Sequence, residues 1–271
     1  MEQHIASAAH ASRPWIKPMA RVGYTARGMV YMVIGWLALL SGLGGGGGTT
    51  DSKGAVQTLM ASGPGLVIAI ILILGLLSYA LWRFIQAALD PDDHGLSAKG
   101  TAIRIGLAAS GITYLGLTAY TFSLWRGSAS GGEGGAGAFS DWVTGIIGGT
   151  AAAFALAAIL AGVAIAHFIK AWKRGYEKYM ELDEDTKTKI APVAVTGLVA
   201  RGSIFVVLAV LLFYHGSLAG EGKPGTEDAL NFIHELPFGS VLLIAVAVGL
   251  IAFALYSFAE AAWRRVDPVD A

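Results

Sequence analysis

The sequence predicts an all-α membrane protein, with six transmembrane helices in three parallel two-helix repeats forming a pseudo-threefold bundle. Three observations predict it. Of the 271 residues, 55% are hydrophobic and 14% charged, against roughly a quarter charged in an ordinary soluble domain. Charge that sparse cannot coat a globule of this size. The apolar residues also come in long blocks: Leu66 to Leu77, Val143 to Ala166 and Phe238 to Ala259 carry no charge at all. Finally, two patterns recur in one register. Arg21-Val22-Gly23-Tyr24-Thr25-Ala26-Arg27-Gly28 with Tyr31 returns as Arg104 to Gly111 with Tyr114, and as Val195 to Gly202 with Phe205. Further on, Ala80 to Ala87 returns as Ala164 to Ala171 and as Ala254 to Ala261.

Six spans follow, near residues 22–42, 64–87, 102–125, 144–171, 195–218 and 238–263, since a bilayer core takes about 20 apolar residues per helix. A lead over 1–20 precedes the first repeat (21–91), the second (102–179) and the third (194–266). Pro14 and Pro18 are expected to stop the first helix from extending upstream. The first apolar run is long and lacks an Ala-x-Ala exit, so it reads as a span and not a cleaved signal. Each repeat holds an even number of spans, so all three enter from one side, unlike inverted-repeat transporters.

The loops after spans one, three and five are glycine-rich, at Gly44 to Gly48, Gly131 to Gly137 and Gly220 to Gly225. Each then carries a short segment of mixed polarity, Ala55–Met60, Ala138–Val143 and Ala229–Leu236. A short interfacial helix is expected there, the alternative being an ordered loop. On the other side, Asp90 to Lys99 reads as a turn-rich link and Lys170 to Lys189 as a longer, charged one. In the latter, Trp172, Tyr176 and Tyr179 fall at i, i+4 and i+7. That spacing predicts one face of a helix leaving the membrane, its aromatics at headgroup depth, with a partner-docking site as the alternative.

Charge orients the chain. The 19 basic and 19 acidic residues cancel, which argues against a nucleic-acid partner. Only Lys53, Arg126 and Lys223 lie in the loops after odd spans. The bias puts the opposite side, with both termini, in the cytoplasm. There are no cysteines, which excludes disulfides and thiolate chemistry. The six histidines show no ligand spacing, and no metal or cofactor is expected. No catalytic residue is expected either: Ser110 fills the slot of Arg27 and Arg201, and reads as a repeat-aligned small residue.

Gly23, Gly106 and Gly197 open a stripe on each odd helix, and Gly28, Gly111 and Gly202 follow five residues on, about 140° round. Both sets are candidate helix-packing positions. Each unit also supplies one cation near the inner mouth: Arg27, Lys170 and Arg201. Gln86, Ser110 and Glu260 fill the other equivalent positions, as candidate inter-repeat polar contacts. Three readings stand open. The cations snorkel to the interface, or form a vestibule for an anion or anionic lipid headgroup, or one of the arginines clamps to Glu260.

The pattern Arg-x-Gly-Tyr-x-Ala-Arg-Gly-x-x-Tyr over Arg21 to Tyr31, with its weaker copies, resembles the bacterial domain-of-unknown-function 1206 family across residues 20–266. The second unit departs from it at Leu107 and Ser110. The resemblance implies three tandem hairpins and a bacterial inner-membrane address, with no activity attached. The functional expectation is non-enzymatic binding or movement of a small solute, ion or lipid, with membrane lipids, anionic ones included, as partners. The alternative is a structural or regulatory subunit packing against another membrane-protein complex.

Overall fold

Residues 2–45, 48–128, 149–217 and 226–266 are described by the computed structural model. Its helices are α1 (Glu2–Gly42), α2 (Ser52–Ala61), α3 (Gly65–Leu89), α4 (Ala98–Trp125), α5 (Gly149–Trp172), α6 (Glu184–Ser217), α7 (Thr226–Glu235) and α8 (Gly239–Trp263). All but α2 and α7 are long and apolar enough to cross a membrane, so this is a multi-pass membrane protein. The glycine-rich stretch 131–137, the segment Ala138–Val143, the start of the fourth span and the stretch 220–225 lie outside the described residues.

The first helix corrects one expectation, because it runs through both Pro14 and Pro18. A proline removes one backbone donor and crowds one carbonyl, a local cost that water near a helix end relieves. The seventh-residue spacing of Trp172 and Tyr179 misleads for another reason. The chain leaves α5 through Arg174 at φ 48°, a left-handed residue that breaks the helical stripe. Trp172 is then exposed while Tyr176 is buried. A single 3-10 turn, Glu177–Tyr179, follows, and Met180 pairs with Arg264 in an isolated bridge.

The six spans follow one another as neighbours in the order α4, α3, α1, α8, α6, α5, a ring left open between α4 and α5. Three of its seams are built alike. A phenylalanine of each even span lies on a glycine of the odd span in the next unit: Phe84 on Gly111, Phe168 on Gly202 and Phe258 on Gly28. A Cβ at those glycines would stand 2.8, 2.9 and 2.5 Å from the rings, closer than real contacts allow. The glycine is what lets the helices approach where lipid removes the hydrophobic drive to pack. The α1–α8 seam extends the device at seven-residue steps, with Gly35 against Ile251 and Gly42 against Ile244.

The seams inside the units are not alike. In the first, Gly23 lies against the backbone of Tyr79, and in the third, Gly197 lies against that of Phe253. Each is reciprocated, Gly75 facing Ala26 and Gly249 facing Ala200. In the second unit α4 and α5 make no substantial contact among the described residues. Among the described residues Gly106 therefore has no packing neighbour, contrary to the expectation that all six glycines mediate packing. The cause is visible in the repeat: the slot of Gly75 and Gly249 is Ile159, whose branched side chain does not fit that close approach and stands 51% exposed. The ring is threefold in plan and open at its second hairpin. Only 22% and 17% of the apolar windows of α4 and α5 are buried, against 39% or more in the other spans.

At the end opposite the termini, α2 and α7 cover the bundle. Asp51 caps α2 by accepting from the amides of Lys53 and Gly54, as an N-cap carboxylate does. Ala55, Val56, Ala229, Leu230 and Ile233 are buried in the main core. The Thr49 hydroxyl donates to the Asn231 side-chain oxygen at 2.5 Å and the Gln57 amide to the Tyr120 hydroxyl at 2.6 Å. These two bonds tie the first loop to the third, and α2 to α4.

Candidate functional site

The polar residues that the repeats bring toward the axis gather at the end that carries the termini. Arg27 is 3% exposed. Its Nε donates to the Ser257 hydroxyl at 3.1 Å, one Nη to the Tyr79 hydroxyl at 2.6 Å, and the other Nη to Glu260. Glu260 also accepts from Arg264 Nη1 at 3.2 Å. Arg264 Nη2 reaches both oxygens of Asp92, at 3.0 and 2.8 Å. Asp92 accepts in turn from the Gln86 amide at 2.7 Å. Arg83 closes the circuit, donating to Gln86 Oε1 at 2.9 Å and to the Tyr79 hydroxyl. One closed loop of hydrogen bonds thus runs through Arg27, Glu260, Arg264, Asp92, Gln86, Arg83 and Tyr79. It joins the first unit to the third.

Of the readings left open for Arg27, this geometry fixes the clamp. A buried guanidinium with all three nitrogens engaged does not snorkel and does not offer itself to an external anion. Gln86 acts inside the first unit and its following link, reaching the third unit only through Asp92. Ser110 was expected to make an inter-repeat polar contact; it makes no hydrogen bond among the described residues. Its unit is the open one, so the neighbour it would address is displaced.

Arg201 and Lys170 stand apart from the circuit. Neither has a hydrogen-bond or ion-pair partner among the described residues, and Arg201 Nε is buried without an acceptor. Arg201 is held by rings instead. Its Cζ lies 4.8 Å from the centroid of Tyr31, 5.4 Å from Phe205 and 4.6 Å from Phe253. Such contacts hold a cation but do not neutralise it. Arg27 touches the same Phe253 ring at 5.0 Å. Lys170 sits 5.5 Å from the Tyr256 ring, within electrostatic reach of Glu260 and of Arg264, Arg83 and Arg27. His167, one turn before it, lies 5.3 Å from Phe205. Counting Arg27, Arg83, Lys170, Arg201 and Arg264 against Glu260 and Asp92, the assembly carries an excess of positive charge.

Sequence reasoning missed Arg83, Asp92, Arg264 and Tyr79. Arg83 was inside the repeated even-helix pattern, unmatched by a cation in the third unit, where Ser257 stands. Asp92 and Arg264 lie outside the patterns, and their meeting depends on the fold of the links. Asp90 shapes one of those links. Burial opposes its ionisation, but bonds from the His94 and Gly95 amides, at 3.0 and 2.7 Å, and from the His94 ring outweigh that and hold its carboxyl below the usual range. The latch carries a prediction: Asp92→Asn removes the charge that receives Arg264, with an expected loss of about 1.5–3 kcal/mol. Reversible unfolding in mixed micelles measures it.

A family model described as Domain of Unknown Function (DUF1206) matches residues 22–90 and 196–264, together just over half of the chain. The two matched segments are the two closed hairpins. The chain is also 27% identical over 277 residues to the uncharacterized protein YxxB of Bacillus subtilis (strain 168), covering 98% of this chain and 97% of that one. No solved structure matches it. With its repeated Arg-Gly pattern inside both matched segments, this chain belongs to the DUF1206 family.

Proposed function

We propose that this protein is a non-enzymatic, anion-binding membrane protein of the bacterial cytoplasmic membrane, with both termini in the cytoplasm and with Arg201 and Lys170 as the anion's ligands. The observations that carry the reading are Arg201, a cation inside a span whose Nε is buried without an acceptor, and Lys170 at the inner end of α5, beside two carboxylates already engaged by Arg27 and Arg264. An uncompensated charge in that setting is costly. A phosphate or carboxylate at Arg201 removes the cost there and fills the empty acceptor position at its Nε, with Lys170 as the second ligand of the proposed site. The orientation rests on the excess of Lys and Arg on the side of the termini.

Binding is tested on purified protein with inorganic phosphate by calorimetry, and with phosphatidylglycerol against phosphatidylcholine by native mass spectrometry. Wild type is expected to prefer the anionic ligand. Arg201→Gln and Lys170→Gln are each expected to weaken it about tenfold or more, as removal of a charged hydrogen-bond donor does. Equal retention of both lipids together with no heat from phosphate contradicts the reading.

A further inference from the structure

We propose that the anion is the headgroup of a phospholipid, which enters sideways through the open second hairpin and leaves an acyl chain lying between α4 and α5. This rests on the reading of Arg201 and Lys170 as an anion site, and it adds the ligand's class and its route.

The route follows from the repeat. Gly23 and Gly197 abut the even helix of their own unit, and a Cβ on Gly197 would stand 2.9 Å from the backbone of Ala252. The equivalent residues of the second unit are Gly106 on α4 and Gly162 on α5. A Cβ on either would meet nothing within 4 Å. Faces that meet in the other two units are therefore parted here, and Lys170 follows Gly162 on α5 by eight residues, its Nζ beside the Tyr256 ring of α8. Among the described residues, two other approaches are covered. At the far end α2 and α7 are packed into the core, and at the near end the Arg264–Asp92 latch spans the seam between the first and third units.

The ligand's class follows from chemistry along that route. By equivalence with the Gly197–Ala252 and Ala200–Gly249 contacts of the third unit, the faces bordering the gap carry Gly106, Gly162, Ala109 and Ile159, all apolar. A free phosphate has no reason to pass between them, whereas an acyl chain is at home there. Lys170 is in the last turn of α5, two residues before Trp172, at the depth where headgroups lie. A second copy of this chain suits the gap less well. Its membrane-crossing windows hold no acid besides Glu184, Asp185 and Glu260. The first two lie at the helix end, and Glu260 is engaged by Arg27, so a second copy brings no carboxylate to this depth.

The experiment compares wild type, Gly106→Trp with Gly162→Trp, and Arg201→Gln with Lys170→Gln, all purified in detergent. Native mass spectrometry reads dioleoyl phosphatidylglycerol against dioleoyl phosphatidylcholine, and calorimetry reads inorganic phosphate. Both tryptophans enter open space, so folding is expected to be retained; Gly106→Leu with Gly162→Leu is the smaller backup. The tryptophan pair is expected to lose about tenfold in phosphatidylglycerol retention while its phosphate affinity stays at the wild-type value. The Arg201/Lys170 pair is expected to lose both. Undiminished phosphatidylglycerol retention by the folded tryptophan pair overturns sideways entry and leaves the anion site standing. Wild-type behaviour of the Arg201/Lys170 pair overturns both. A wild-type dimer that the tryptophans split makes the gap an interface between copies, and overturns the lipid as its occupant.

Discussion

Glu260→Ala is expected to cost about 3–5 kcal/mol of folding stability, the penalty for leaving a buried charge uncompensated. The substitution strips Arg27 of its carboxylate and Arg264 of one acceptor, and both arginines are nearly inaccessible. Replacing both charges of the clamp by apolar groups, Arg27→Met with Glu260→Leu, is expected to recover most of the loss, because neither partner of the clamp is left as an unpaired ion and Arg264 keeps Asp92. Denaturation in mixed micelles, followed by tryptophan fluorescence, measures both. If the single substitution costs less than about 1 kcal/mol, as an exposed ion pair does, the clamp is not what joins the first and third units.

The second large effect is a contrast between equivalent residues. Gly23→Leu is expected to destabilise by about 3 kcal/mol, since a Cβ there would lie 2.6 Å from Tyr79 Cα and rigid backbone must shift. Gly106→Leu, at the same place in the repeat, is expected to be neutral or to stabilise by about 0.5–1 kcal/mol, the usual gain on removing glycine from a helix. A ring closed at all three hairpins predicts the same large loss at both positions. The sign of the Gly106 effect therefore reports directly on whether the second hairpin is open.

Much of this architecture was legible in the sequence. The apolar blocks mark all six spans, although α1 (from Glu2) and α6 (from Glu184) begin well upstream of the expected starts at 22 and 195, and both repeated patterns carry the seam that recurs three times. Gly111 and Phe84, for example, are each a motif residue, and they meet because the units follow one another around a ring. Glu260 is the one acid among the equivalent axial positions, which makes it a natural partner for Arg27 or Arg201, and it pairs with Arg27. The opening of the second unit was also written in the chain, as Ile159 where the other units have glycine. Its meaning required knowing that Gly75 faces Ala26, a tertiary contact that periodicity does not reveal. Local geometry hid the rest. The left-handed Arg174 ended a helix that aromatic spacing extended, and Asp92 found Arg264 across 172 residues of chain.

The most direct test uses the absence of cysteine from the chain, which lets spin labels be placed in pairs at repeat-equivalent, outward-facing sites. Val22 with Leu81, Ile105 with Ile165 and Thr196 with Leu255 are such pairs, each exposed and each spanning one unit. Distances between labels are measured by pulsed electron paramagnetic resonance in phosphatidylglycerol-containing nanodiscs. The first and third pairs are expected to give matching short distances, and the second a clearly longer one. Three matching distances would contradict the open ring, and with it the sideways route to Arg201 and Lys170.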